Sequence, residues 1–463
     1  MDPNAATPHP QGSTPAGRIP AGPQAAELRR SFNLSSLTLF GLAYLAPLVV
    51  LGTFGVIAVR SGGAAAGSYL LALVAMLFTA LSYGRMAAAF PQAGASYNFV
   101  RRNIDPRLGF LVGWASILDY FFLPMVIWLI GASFLSAGFP AVPFWVWIAG
   151  FILLTTALNV VGVAVAKGAN ILLMAFQLLV IVLFIGFAVA AVTLEDGLRG
   201  LFSLDPFFNP GTDFEKISAG AAVAAYSFLG FDAVAAMADD TRNPARVLPR
   251  AIVLVALIGG VIFIVLSYVT ELAHPGTDFT DEGSAAFEIA EQIGGALFSA
   301  VFLAGLVVTQ FASGLAAQSS ASRLLYAMGR SDSLPRRIFG YVSPRFRTPV
   351  LNVLLCGLVG CVAFFLDEST STSFINFGAF IAFTLVNACC VFYWVRQRRQ
   401  GVRLNPLAYI AAPGVGAVIS IYLWLNLDVP AKILGSIWLA LGVIYLVWLT
   451  RGFRRDPPGM QVD

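Results

Sequence analysis

The chain has 463 residues, of which 58% are hydrophobic and 11% are charged, whereas a soluble domain carries roughly 25% charged residues. Too few polar residues remain to coat a water-soluble core of this size, so lipid must solvate the apolar faces. The net charge of +4 is small, and no basic cluster with interleaved aromatics lies outside the membrane-flanking loops, which argues against a nucleic-acid partner.

Residues 1–30 are rich in Pro, Gly, Ala and Gln and have no apolar core. They read as a disordered cytoplasmic tail rather than a signal peptide. Stretches of about 20 mostly apolar residues, enough to cross a bilayer, then recur at 35–59, 66–89, 108–134, 143–165, 169–193, 217–238, 250–272, 293–321, 350–366, 372–395, 406–426 and 432–450. With the N-terminus inside, 24 of the 28 basic residues fall on inner segments and inner span ends, and only Arg60, Arg199, Lys216 and Lys432 fall outside. This bias supports twelve spans, with both termini on the cytoplasmic side of the cell's inner membrane.

Span 1 contains Gly41-Leu42-Ala43-Tyr44-Leu45-Ala46-Pro47. Gly weakens a helix, and Pro47 removes a ladder hydrogen bond and crowds the preceding turn. After span 2, the loop 90–107 mixes aromatics and arginines and is expected to form a helix along the inner interface. Span 3 carries Asp119 followed by Tyr120, and span 5 carries Gln177. Span 6 contains Tyr226-Ser227-Phe228-Leu229-Gly230-Phe231-Asp232, with Gly230 as its flexible point. Spans 1 and 6 are five helices apart. Matched interruptions at that spacing point to a binding site between two inverted repeats, whereas an isolated kink would be ordinary packing.

Asp119 and Asp232 are the two acids expected well inside the spans, and no Lys or Arg is deep enough to pair with either. A charge at the bilayer centre costs about 2.5–3.5 kcal/mol on insertion scales, so it marks a wet cavity, a cationic ligand or a coupling ion. The bland alternative is a structural hydrogen bond to a Tyr or to backbone. Further polar or aromatic cavity candidates are Thr309, Gln310 and Asn376, together with Tyr44, Tyr120, Tyr226 and Phe228, whose rings could cover an ammonium group. Fourteen acids, among them Glu271, Asp281, Glu282, Asp367, Glu368 and Asp428, are expected in the outer loops. They would either concentrate cations there or simply solvate the loops. The four cysteines sit in apolar runs and match no metal motif, and both histidines lie outside the spans, so neither a metal nor a cofactor is expected.

A family resemblance runs from Leu39 to Phe453. It is carried by Gly41-Leu42-Ala43-Tyr44 with Pro47, Thr53-Phe54-Gly55, Leu77 to Arg85, Phe90-Pro91 with Ala93-Gly94, and Val112-Gly113-Trp114 with Leu118-Asp119-Tyr120. It continues through Ser227-Phe228, Gly230-Phe231-Asp232, Thr241, Arg246-Val247 with Pro249-Arg250-Ala251-Ile252, Met328-Gly329-Arg330, Phe339 to Val342, Arg347-Thr348-Pro349 and Ile375-Asn376-Phe377-Gly378. In this order the chain resembles the amino acid–polyamine–organocation permeases, and within them the bacterial putrescine importers. The resemblance implies an all-α membrane protein with a LeuT-like pair of inverted five-helix repeats (35–193 and 217–395) and two further helices (406–450). The transporter domain would span 31–453, with a second cytoplasmic tail at 454–463.

The resemblance also implies uptake of a small cationic substrate by alternating access, coupled to protons or sodium. Gly41, Ala43, Tyr44 and Pro47, with Tyr226, Phe228, Gly230 and Asp232, would form the substrate-binding breaks, joined by Asp119 and Tyr120. Asp232, Gln177 and Thr309 would serve coupling. Two departures stand out: Gln177 occupies a position where proton-coupled cationic amino acid permeases often carry Lys, and Gly52 stands where putrescine importers carry Asp. A diamine such as putrescine is the first substrate expected, and a neutral or cationic amino acid is the alternative. A membrane enzyme would need an intramembrane nucleophile, base or metal set, and a nutrient sensor on the same fold would signal without uptake. Oligomeric state is left open.

Overall fold

The computed structural model of the protein describes residues 32–91, 95–162, 167–238, 241–330 and 334–457. The expected tail at 1–30 lies outside these residues, as does the end of the tail at 454–463. Apart from one isolated parallel bridge between Phe32 and Thr241, the described residues form no β-structure. This is the outcome hydrocarbon demands, because a helix satisfies its own backbone and an open sheet does not.

The first expected span is two helices, α1 (Leu34–Leu45) and α2 (Val49–Ser61), bent by 50°. Next come α3 (Ala65–Ala89), the short α4 (Ala95–Asn103), α5 (Pro106–Gly138), α6 (Phe144–Val161) and α7 (Lys167–Asp196). The sixth span is α8 (Phe214–Ala224), a 3₁₀ turn over Ala225–Phe228, and the single turn α9 (Ala233–Ala236). It is followed by α10 (Pro244–Ala273), α11 (Ala285–Arg330), the short α12 (Arg336–Phe339) and α13 (Val350–Gly360). The chain ends with α14 (Glu368–Arg399), α15 (Ala412–Leu425) and α16 (Val429–Leu449).

Ten of the described helices are long and apolar enough to cross a membrane, and the bent α1–α2 pair makes eleven. The remaining expected span, 350–366, is a shorter apolar helix over Val350–Phe364, about 22 Å long against a hydrocarbon core of about 30 Å. The expected span 293–321 is much longer in the structure. Helix α11 runs for 46 residues and kinks at Gly295, whose φ of 70° is the left-handed region glycine tolerates. Helix α4 packs on α5 and α14 and buries Phe99 and Val100, so it is fastened to protein rather than lying free on lipid.

Two acids expected in outer loops are in fact buried. Glu271 lies in the last turn of α10 and Glu368 is the first residue of α14, at 3% and 6% exposure. Each acid stands at the outer edge of an apolar run, Glu271 at its end and Glu368 just before its start, so hydropathy alone assigns both to the loop.

The best-buried spans are the α8–α9 segment, α14, α3 and α5, while α15 and α16 are the least buried. Helix α16 is clamped to α5 by a reciprocal pair. Trp114 Nε1 donates to the Trp438 carbonyl at 2.9 Å, and Trp438 Nε1 donates to the Trp114 carbonyl at 3.0 Å. The two indoles stack at 5.0 Å. Gly442 permits this approach, since a Cβ there would stand 2.3 Å from the Trp114 ring. Replacing Gly442 by Leu is therefore expected to cost about 1–3 kcal/mol through overpacking, read as a lower midpoint of thermal unfolding in detergent. An unchanged midpoint would show that α16 is not held by this contact.

Candidate functional site: a cavity at the crossing of two broken helices

Proline disfavours helical geometry in the residue before it. Here Ala46, before Pro47, adopts the left-handed region (φ 46°, ψ 74°) and ends α1. Its amide turns back to the Ala43 carbonyl at 3.3 Å, and the Val49 amide goes to Ala46. The carbonyls of Leu42 and Leu45 thus lose the donors that a continuous helix would give them. In the sixth span, α8 tightens into the 3₁₀ turn, and Gly230 then takes φ 117°, a conformation that side chains rarely adopt.

Two polar groups manage the second break. Asn376 of α14 donates through Nδ2 to the carbonyls of Ala222 at 2.7 Å and Val223 at 3.3 Å, capping the end of α8. Tyr69 of α3 hydrogen-bonds Ser227 Oγ at 3.0 Å and Thr53 Oγ1 at 3.4 Å, tying α2 to the 225–228 turn. The breaks also touch each other, because a Cβ on Gly230 would stand 2.3 Å from the Tyr44 ring.

Where the breaks cross, a cavity opens between Tyr44, Ala46 and Val49 of the first break, Tyr226 and Leu229 of the second, Leu123 and Ile127 of α5, and Leu306, Thr309, Gln310 and Ser313 of α11. Its empty volume is about 560 Å³, counting the solvent that reaches it. The walls are mostly aliphatic with a few polar groups, the usual make-up of a small-molecule site.

The structure sorts the expected residues. Tyr44, Tyr226 and Thr309 line the cavity, as do Gln310 and the unforeseen Ser313. Asp119 shares a face of α5 with Leu123 and Ile127 at i, i+4 and i+8, which puts it one turn beyond the lining, toward α1. Asp119 and Asp232 are half-buried and lie within electrostatic reach of each other and of Tyr44 and Tyr120. The Asp232 carboxylate faces the backbone amides of Gly230, Ala233 and its own residue. Among the described residues neither acid has an ion-pair partner.

Other expected residues have structural surroundings. Phe228 is buried edge-on against Phe263. Gly41 packs on Val255 and Val234, and Pro47 is buried with Ala43 beside it half-buried. Gln177 is 6% exposed on α7, away from the lining, with no partner for Nε2 among the described residues. Gly52 faces Ile130 and Gln310, so a longer side chain at this position would point at the cavity edge.

The two ends of the cavity differ. Helix α2 is buried along most of its length and packs tightly on the Glu282–Ser284 turn: a Cβ on Gly55 would stand 2.2 Å from the Glu282 carbonyl oxygen. Arg60 closes the same end with an ion pair to Asp428 at 2.6 Å. Helix α1, by contrast, packs chiefly on α10 and α9, leaving Leu39 57% and Tyr44 38% exposed. The cavity is therefore shut at the α2 end and approached from the α1 end.

Substitution of Gly230 by Ala is expected to drive a methyl into the Tyr44 ring at an unfavourable φ and to abolish ligand retention in the cavity while the protein still inserts. Asn376→Leu is expected to remove the side-chain donor from the Ala222 and Val223 carbonyls and to lower stability by about 1–3 kcal/mol. Binding by the first variant, or a wild-type unfolding midpoint for the second, would contradict this account.

Comparison with known proteins agrees with the geometry. The pattern of the amino acid permease family matches residues 37–447. The low-affinity putrescine importer PlaP of Escherichia coli K12 is 36% identical over 434 residues, 93% of this chain and 96% of that protein. The branched-chain amino acid permease BcaP of Bacillus subtilis is 25% identical over 91% of this chain and 93% of its own. The methylthioribose transporter of the same organism is 25% identical over 95% of each. The chain is a multi-pass membrane protein that belongs to the amino acid permease family.

Proposed function

We propose that the protein imports a polyamine such as putrescine across the cell's inner membrane by alternating access. The observation that carries this reading is the pair Asp119 and Asp232, carboxylates without a cationic partner among the described residues, beside a cavity with aliphatic walls. A diamine matches both features: its ammonium groups compensate the acids, and its methylene chain suits Leu123, Ile127, Leu229 and Leu306. Tyr44 and Tyr226 can cover a cation with their rings. The similarity to PlaP over nearly the whole chain supports the same substrate class.

Orientation follows from the placement of basic residues, which puts both termini and the α1 end in the cytoplasm. The geometry is then an inward-facing state: the outer gate is α2 on the 282–284 turn, and substrate leaves past α1. Helices in 35–193 and 217–395 act as the two inverted repeats, and 406–450 braces them. Coupling to protons or sodium runs through Asp232, the only expected coupling residue with a carboxylate.

A second reading, amino acid uptake, is favoured by one feature. Gly52 leaves the cavity edge beside Gln310 without an acid, and the released backbone at the breaks could hold a carboxylate. Uptake of radiolabelled putrescine into proteoliposomes, competed by diamines and by amino acids under imposed proton and sodium gradients, separates the two. Inhibition by unlabelled diamines but not by leucine or lysine is expected, and the reverse pattern would replace the first reading by the second. Asp232→Asn is expected to lower gradient-driven uptake about 10- to 100-fold, the worth of one charge-assisted hydrogen bond. Normal uptake by that variant would remove Asp232 from the mechanism.

A further inference from the structure

Two acids toward the closed end, Glu271 and Glu368, are deeply buried with unbonded carboxylate oxygens. Glu271 faces the backbone amides of Gly276 and Ala65, which leaves Glu368 as the one with only other acids around it. Glu368 is 6% exposed, and neither carboxylate oxygen has a hydrogen-bond partner among the described residues. The 282–284 turn covers it, for a Cβ on Gly283 would stand 3.2 Å from Oε2 and 3.3 Å from Ser133 Oγ. The charged groups around it are Asp281, Glu282 and Asp367, all acidic. Arg60, which lies within electrostatic reach of Glu282, is committed to Asp428 and to Ser369 Oγ at 3.0 Å. The end of α14 gives little relief, because Asp367 already occupies its N-cap and accepts from the Thr370 amide at 2.6 Å. Ionised and left this way, a buried carboxylate costs several kcal/mol, which either a bound proton or a bound cation relieves.

Toward the cavity, Tyr226 lies within electrostatic reach of both Glu368 and Asp119, and Tyr226 itself lines the cavity. Tyr226 thus stands between two groups of acids, with Glu368 beneath the exposed Asp281, Glu282 and Asp367 on one side and the Asp119–Asp232 pair on the other. We propose that Glu368 binds the ammonium group of the substrate between the α2 face and the central cavity, as a second cation site. This rests on the polyamine reading above. The closed end would thus receive one ammonium group before the outer gate shuts, and the cavity would receive the other.

The test is putrescine transport measured from each face, in vesicles holding the protein in either orientation, for wild type and Glu368→Gln. The neutral isostere keeps the shape and removes the charge. Its KM is expected to rise about tenfold for substrate presented at the α2 face, with kcat retained, as expected when ground-state binding is lost. At the α1 face KM is expected to stay within about twofold. Glu368→Asp is expected to recover part of the loss, and the unfolding midpoint of neither variant is expected to fall below that of wild type. Wild-type KM at both faces for Glu368→Gln, with wild type active, would overturn this inference alone. An equal rise at both faces, or a lowered unfolding midpoint, would make Glu368 structural. Absence of putrescine uptake by the wild type would overturn the polyamine reading, and this one with it.

Discussion

In hydrocarbon a peptide group without a hydrogen-bond partner costs several kcal/mol, and no water is at hand to replace the partner. Nearly every turn of this chain obeys that constraint by staying helical. The two stretches that do not, 44–49 and 225–232, are kept in the interior by neighbours that answer for them. Asn376 takes the end of α8, and Tyr69 spans Thr53 and Ser227. Of what these groups leave unanswered, the Leu45 carbonyl belongs to a residue that lines the cavity. The site is thus where a strict rule is relaxed on purpose, with the surrounding helices holding the relaxed geometry in place.

The charges follow the same logic. The described residues contain a single ion pair within contact distance, Arg60 with Asp428, and it sits at a cavity end rather than in the cavity. The acids nearer the centre have no such answer from the protein. Unpaired carboxylates in low dielectric favour a proton or a cation, and on the reading proposed above they would give a cationic substrate successive places to rest. On that reading, selectivity for charge would follow from withholding protein cations along one line.

Much of this was legible in the amino-acid sequence because its signals are collective. Apolar windows and the bias of Arg and Lys locate the spans, and the paired interruptions single out the first and sixth. What was hidden depends on partners distant in the chain. Pro47 announced the first break, yet Ala46 bears the left-handed geometry, because proline strains its predecessor rather than itself. Asn376 was noticed only as a polar residue among apolar ones, and nothing local says that it caps α8. Glu368 precedes a run of Ser and Thr that reads as loop, but Thr372 returns its hydroxyl to the Glu368 carbonyl at 2.8 Å, so the run is helix. Phe228 was grouped with the cavity by proximity in sequence, and the 3₁₀ turn rotates it onto Phe263 instead.

Three fastenings join α1 to the segment after the second break. The Arg242 amide donates to the Phe32 carbonyl at 3.0 Å, Gly41 nests against Val234, and the Tyr44 ring fills the space that a side chain on Gly230 would need. These contacts are spread along the whole length of α1, so the two half-helices have no freedom to swing separately. On the inward-facing reading proposed above, they would move as one lever with its fulcrum at Ala46 and Gly230, and shutting the inner mouth would be a single stroke rather than two coordinated ones.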